Sequence, residues 1–266
     1  MSQQSRMNIA IIFSPNWANY ILTEVYSIFK NNPSPVKVYL ISDTGGDIDT
    51  SHLLSHFGEG YETEFINAEE TFKKYIKTNN NVSTRFTKYA LYRLLLPELI
   101  QEDRLLHIDA DAMIVSDIRK MYEMDLYDYY MAGAIDIGAD AYNLKRPLGL
   151  SIHDHYVNAG VLLMNLKKIR EDNLMKKWVN EADSKSYPAH DQCILNLTCK
   201  NKILILDKMY NVSISTGLDI LKEDIKIIHW AGNVKAWSSS DVPFPHFWYR
   251  TNREYKEQFG TLVTNG

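Results

Sequence analysis

Hydrophobic spacing in the first half of the chain alternates between the period of a strand and that of a helix. This alternation constrains the fold more than any other feature. Residues 7–13 form a nearly unbroken apolar run, which suits a strand buried on both faces. Ser14-Pro15-Asn16 breaks it, and apolar residues at 17, 21, 22, 25, 28 and 29 then recur at helical spacing as far as Lys30. The run Asn31-Asn32-Pro33-Ser34-Pro35 stops that helix. The pattern predicts a second strand over 36–41, a helix over 48–57 and a short strand over 61–66. Strands that alternate with helices imply parallel pairing under helical cover.

Further along, a helix is expected over 84–99 and a strand over 104–108 that runs into Asp109-Ala110-Asp111. Strands over 131–135 and 160–164 end at Asp136 and Asn165, helices follow over 166–182 and 191–197, and a late strand covers 225–229. The stretch from Gly138 to Tyr156 has no regular period and reads as a loop able to move over a site. There is no repeat and no Gly/Ser linker, so one domain over 1–266 is expected.

Composition narrows the function classes. With 45% of 266 residues hydrophobic, the chain can build a sizeable core. A net charge of −4 argues against a broadly basic surface for nucleic acid. No stretch approaches the roughly 18 apolar residues of a membrane helix, and the apolar run behind the polar head is too short for a secretory leader. A cytoplasmic location is therefore expected. Cys193 and Cys199 match no disulfide framework or zinc spacing and read as buried thiols. The aromatic tail around Phe244, Phe247, Trp248 and Tyr249 reads as a short helix packed on the core, with peripheral membrane contact as the other use.

Asp109-Ala110-Asp111 stands where a buried strand ends. In extended chain, residues i and i+2 point to one side, so the two carboxylates can share a hard cation. Carboxyl ends of strands are also where open α/β sheets bind ligands. A solvated turn is the plain alternative. The late strand adds His229, Gly232 and Lys235: an imidazole for a mixed oxygen/nitrogen shell, a glycine for close backbone approach and a point charge for phosphate. His153, His155 and His190 match no metal spacing and read as parts of a solvated loop.

Four motifs in order carry a resemblance. They are Leu105-Leu106-His107-Ile108-Asp109-Ala110-Asp111, Tyr156-Val157-Asn158-Ala159-Gly160-Val161-Leu162-Leu163-Met164-Asn165, His190-Asp191-Gln192-Cys193-Ile194-Leu195-Asn196, and the segment 229–237. Tyr92-Arg93-Leu94 adds a fifth feature. Over residues 8–237 the chain resembles the retaining glycosyltransferase family 8, the group of bacterial lipopolysaccharide galactosyltransferases and glycogenin. The resemblance implies the GT-A fold, an α/β architecture with a Rossmann-like, mixed and mostly parallel sheet flanked by helices. Residues 7–111 would form the nucleotide-binding half, 112–240 the donor-sugar and acceptor half, and 241–266 a tail.

The resemblance also implies a UDP-sugar donor, Mn²⁺ with Mg²⁺ as the alternative, and a glycan acceptor. By position, Asp109, Asp111 and His229 would hold the metal. Gly232 and Lys235 would contact the diphosphate. Arg93, Asp109, Asn158, Asp191 and Gln192 would line the donor sugar, and Asp136 would lie near the acceptor. Asp191 and Gln192 are the candidate catalytic residues. An amide is a poor nucleophile, so front-face attack, with the leaving phosphate oxygen taking the acceptor proton, is the expected route to retention.

Three places depart from the family pattern, one of them Ala236, which stands where proline is common in the last motif and touches only loop stiffness. The loop Phe13-Ser14-Pro15-Asn16-Trp17 has no carboxylate where relatives carry an acidic nucleoside loop, and Trp17 reads as the first core residue of the helix, with stacking on a base as the alternative. Cys193 follows Gln192 where some relatives are acidic, which disfavours a second carboxylate in the reaction. A catalytically silent sugar-nucleotide-binding subunit is the alternative from another class. A metal phosphohydrolase is disfavoured, because its carboxylate pair would follow the first strand.

Overall fold

The computed structural model describes residues 5–78, 80–82 and 87–260. The first strand, β1 (Met7–Ile12), is buried along its whole length. Its side chains alternate between two cores: Ala10 and Ile12 pack on one face of the sheet, Met7, Ile9 and Ile11 on the other. After a 3₁₀ turn (Pro15–Trp17) comes α1 (Ala18–Asn31), then β2 (Val36–Ser42), α2 (Ser51–Phe57), β3 (Tyr61–Asn67) and α3 (Glu69–Tyr75). β1 pairs in parallel with β2, and β2 with β3.

The helix expected over 84–99 is broken, and its start at 84–86 lies outside the described residues. α4 (Lys88–Tyr92) passes into a 3₁₀ turn (Arg93–Leu95) and then α5 (Leu96–Leu99). Pro97 lacks the N–H that an α-helix would send to the Arg93 carbonyl, and the Leu96 N–H takes that carbonyl instead. β4 (Arg104–Asp109) follows, parallel to β1, with Ile12 beside Asp109. β5 (Ala112–Ile114), α6 (Arg119–Tyr122), β6 (Met131–Ile135), β7 (Val157–Asn165), α7 (Leu166–Glu171), α8 (Leu174–Ser184), α9 (His190–Thr198), β8 (Ile203–Leu206), β9 (Ile227–His229) and α10 (Pro245–Phe259) complete the order.

Among the described residues the main sheet runs β3-β2-β1-β4-β7-β6-β8, and β5 and β9 form a separate antiparallel ribbon. β7 is antiparallel to both β4 and β6, which makes the sheet mixed but mostly parallel, as expected. The expected helix over 166–182 divides because Asn173 takes the left-handed conformation at φ 52°, which Asn tolerates better than most residues. β5, β8 and α3 were not foreseen: β5 has three residues, β8 is partly exposed, and none of its positions forms a clear period.

The segment 138–156 holds one 3₁₀ turn (Arg146–Leu148), and Leu144, Leu148 and Leu150 anchor it in the core. The tail forms α10, with Phe247, Trp248 and Tyr255 buried. It packs on α1, where Thr23 Oγ1 donates to Asn252 Oδ1 at 3.1 Å. Those aromatic side chains are therefore committed to the protein interior. Among the described residues no helix is long and apolar enough to cross a membrane.

Candidate active site

The sheet order reverses its direction of growth between β1 and β4, the place where open α/β sheets bind ligands. Asp109 is the last residue of β4. Ala110 and Asp111 turn the chain into β5. The carboxylate pair is thus brought together by a turn rather than by two extended residues. β9 pairs with β5 so that His229 sits opposite Ala112. One ligand atom each from Asp109, Asp111 and His229 lies within 4.8 Å of the others. His229 Nε2 is 3.3 Å from Asp111 Oδ1 and 3.7 Å from Asp109 Oδ2.

The orientation of His229 is set from behind. Asn211 Nδ2 donates to Asn158 Oδ1 at 3.0 Å, so Asn211 Oδ1 is left as an acceptor. His229 Nδ1 is 3.0 Å from that oxygen and donates to it, which turns the Nε2 lone pair toward the carboxylates. Gly160 makes room for the ring: a Cβ there would lie 2.1 Å from His229 Cε1. Two carboxylates and an inward-facing imidazole nitrogen fit a divalent cation that accepts mixed oxygen and nitrogen ligands.

Arg93 is buried and joins two carboxylates, Nη2 to Asp109 and Nη1 to Asp191. His107, on the same strand as Asp109, adds a contact at 3.1 Å from Nε2 to Asp109 Oδ1. Against the cost of burial, Arg93 and His107 hold Asp109 well below the usual carboxylate range. Asp111 is also lowered: His229 and Lys235 outweigh its burial. Burial pushes Asp191 up to about 6 despite Arg93, and it lowers His107 to about 4, with Arg93 adding to the effect.

Asp136 follows β6, where the register with β7 shifts between Gly133 and Ile135. Such irregularities re-aim the chain. Asp136 accepts from Asn158 Nδ2 at 3.3 Å and from Gln192 Nε2 at 3.1 Å. Gln192 Oε1 accepts the Ala159 N–H at 3.0 Å, so both ends of the amide are engaged. Burial raises Asp136 above the ordinary value, against these hydrogen bonds.

Lys235 pairs with Asp111 and donates to the Trp230 carbonyl at 3.1 Å. Its loop turns at Gly232, whose φ of +111° is costly for any residue with a Cβ. Two adjoining cavities meet over these groups. One, of about 380 Å³, is walled by Phe13, Ser14, Trp17 and Tyr89; the other, of about 540 Å³, by Asp136, Asn158, Asp191 and Gln192. Both touch Arg93, Asp109, Asp111, Gly232 and Lys235.

Comparison with known proteins gives the family. The family model described as Glycosyl transferase family 8 covers residues 8–241. The chain belongs to glycosyltransferase family 8. It is 28% identical over 269 residues to glycosyltransferase GlyA of Streptococcus pneumoniae, covering 96% of this chain and 36% of that one. It is 21% identical over 257 residues to the lipopolysaccharide 1,3-galactosyltransferase of Salmonella typhimurium, covering 90% and 75%. The crystal structure of the galactosyltransferase LgtC with donor and acceptor sugar analogs superposes with a TM-score of 0.70 at 24% identity, covering 98% of each chain. That likeness establishes the GT-A fold.

Every family 8 position singled out in the sequence borders the two cavities: Arg93, Asp109, Asp111, Asp136, Asn158, Asp191, Gln192, His229, Gly232 and Lys235. Three readings change. Trp17 is half-buried against Trp237, with ring centroids 5.0 Å apart, and also walls the smaller cavity, so it is not simply a core residue. The strand expected over 160–164 starts at Val157, so Asn158 lies inside β7. His190 is buried, with Nδ1 on the Asn81 carbonyl, unlike the exposed His153 and His155. Both cysteines are buried, as expected.

No sequence signal marks Asn211 as the residue behind His229, and the motifs contain His107 and Gly160 with no role attached to them. The His at position i−2 from Asp109 was the one usable signal, since alternate strand residues share a face. Asn211 sits in an irregular segment and had none.

Proposed function

We propose that this protein is a metal-dependent, retaining hexosyltransferase that moves galactose or glucose from a UDP-sugar to a glycan acceptor. One observation carries the reading: Asp109, Asp111 and His229 converge where a cavity with an aromatic wall meets a cavity lined by Asp136, Asn158, Asp191 and Gln192. The first suits a nucleoside, the second a sugar and its acceptor. The galactosyltransferase relative favours galactose. Residues 7–111 and 112–240 contribute to this one site, so we read them, with the tail 241–266, as one catalytic unit that works in the cytoplasm.

Transfer breaks the bond between the anomeric carbon and a diphosphate oxygen. Negative charge grows on the leaving group while the sugar becomes oxocarbenium-like. Asp109, Asp111 and His229 would hold a divalent cation, Mn²⁺ or Mg²⁺, which supplies Lewis acidity to the leaving diphosphate. The mixed oxygen/nitrogen donor set favours Mn²⁺. Lys235 adds a fixed positive charge beside the same oxygens, and the bare backbone at Gly232 lets them approach.

Asp191 is oriented by Arg93 and, with Asn158, binds sugar hydroxyls to fix the donor's pose. Gln192 is engaged at both ends of its amide, by Ala159 and Asp136, which suits an orienting role better than attack on carbon. Front-face displacement follows: the acceptor hydroxyl gives its proton to the departing phosphate oxygen as the new glycosidic bond forms. Asp136 orients the acceptor.

The test incubates the protein with Mn²⁺ and a panel of nucleotide sugars, and follows nucleotide release with and without acceptor saccharides. Release with a UDP-hexose, lost in Asp111→Asn without loss of fold, is expected. NMR of the new linkage should show the donor's anomeric configuration; the opposite configuration would refute retention. The wall Phe13–Trp17 carries no carboxylate, which favours a second reading as a silent donor-binding subunit. Tight donor binding without release under any condition would establish it.

A further inference from the structure

Glu24 is the residue in α1 that the reaction leaves unused. It is buried in the middle of the helix, and both carboxyl oxygens are shielded from solvent with no hydrogen-bond partner among the described residues. A carboxyl buried in this way destabilises a fold unless something compensates it.

Its place follows from the helix. Tyr20, Glu24, Ser27 and Asn31 recur at spacings of four, three and four, which puts them on one stripe. Ser27 Oγ and Asn31 Nδ2 both donate to the Ile114 carbonyl, at one end of β5. Tyr20 stacks on Trp237 in the loop that carries Lys235, with ring centroids 4.7 Å apart. Glu24 lies between these anchors, on the stripe of α1 turned to β5, which starts at Ala112 opposite His229. Asp111 and then Asp109 are the charges that act on it, and with burial foremost they raise its pKa well above the usual range.

We propose that Glu24 is a positioning residue of the metal centre, a third carboxyl behind Asp109 and Asp111 that strengthens their hold on a divalent cation without ligating it. The proposal rests on the metal-centre reading above. Two neighbouring carboxylates alone repel a negative charge at Glu24. A divalent cation held by Asp109, Asp111 and His229 cancels their two negative charges, so that repulsion is lifted. The part of that cost that the two carboxylates impose on the metal-free fold is thereby relieved on metal binding. A neutral side chain at 24 would make the metal-free protein more stable and the metal weaker. A residue that only filled space would change stability alone.

The experiment titrates Mn²⁺ alone, by calorimetry, into wild type, Glu24→Gln and Glu24→Met, and records Tm without metal. Glu24→Met keeps the packing of α1 should the amide disturb it. The expected result is a Kd raised about tenfold in both variants, the scale of outer-shell substitutions, with Tm unchanged or raised by a few degrees. Unchanged Kd in the variants beside tight binding by wild type would overturn the role of Glu24 alone. No Mn²⁺ binding by wild type would overturn the metal-centre reading and this inference together.

Discussion

The Nδ1–H of His229 donates to Asn211 Oδ1 at 3.0 Å, and Asn211 is fully buried. The bond fixes the imidazole tautomer and aims Nε2 at Asp109 and Asp111. Replacement of Asn211 by Leu should therefore weaken Mn²⁺ binding by about 10- to 100-fold. Calorimetric titration checks this. A variant that binds Mn²⁺ like wild type would show that His229 needs no support from behind.

Gly160 sits in the middle of β7, buried on both sides. A methyl group there would collide with the His229 ring. Gly160→Ala should leave the strand paired, since Ala is compatible with extended backbone, yet displace His229 and abolish metal-dependent turnover. Circular dichroism and nucleotide release, measured together, separate the two effects.

Arg93 holds Asp109 and Asp191 at once, which needs two arms of a planar fork. Arg93→Met takes the charge partner from the buried Asp191 and leaves Asp109 with its histidine neighbours alone, and should cost about 3–5 kcal/mol of stability. Arg93→Lys should recover only part of the loss, because one ammonium cannot replace both arms. Urea denaturation at neutral pH gives the comparison. Full stability in the Lys variant would refute the two-armed role.

His107 gives a pH signature. Its ordinary value is 6.5, and burial with nearby Arg93 lowers it to about 4 in the fold. Between those values the unfolded chain binds a proton that the native chain does not, so stability falls as pH falls from 6.5 to 4. The effect is at most about 3 kcal/mol. Asp191, pushed up to about 6 by burial, opposes it, because there the native chain holds the extra proton. The His107 contribution is thus read as the difference between wild type and His107→Gln, which should shrink as the solution is acidified. Equal slopes for the two proteins would refute it.

The interior of the site explains why some residues were legible and others were not. Asp109, Asp111 and His229 announce themselves because charge or imidazole at the end of an apolar strand is unusual. Arg93 could equally have been an exposed helix charge; only its burial between two carboxylates distinguishes it. Trp17 serves the helix packing and the cavity wall together, which no periodicity separates.

The alternation of strand and helix periods determined that the strands of the first half pair in parallel under helical cover, as β1, β2 and β3 do. The ordered motifs singled out side chains that line the two cavities. Tertiary structure alone decided who touches whom. The antiparallel entry of β7, the β5–β9 ribbon and the 3₁₀ turn at Arg93 set registers between segments far apart in sequence. Periodicity records which face of an element is buried. It does not record the register between distant elements, and that register places Asn211 behind His229, Gly160 beneath its ring and Glu24 behind the carboxylate pair.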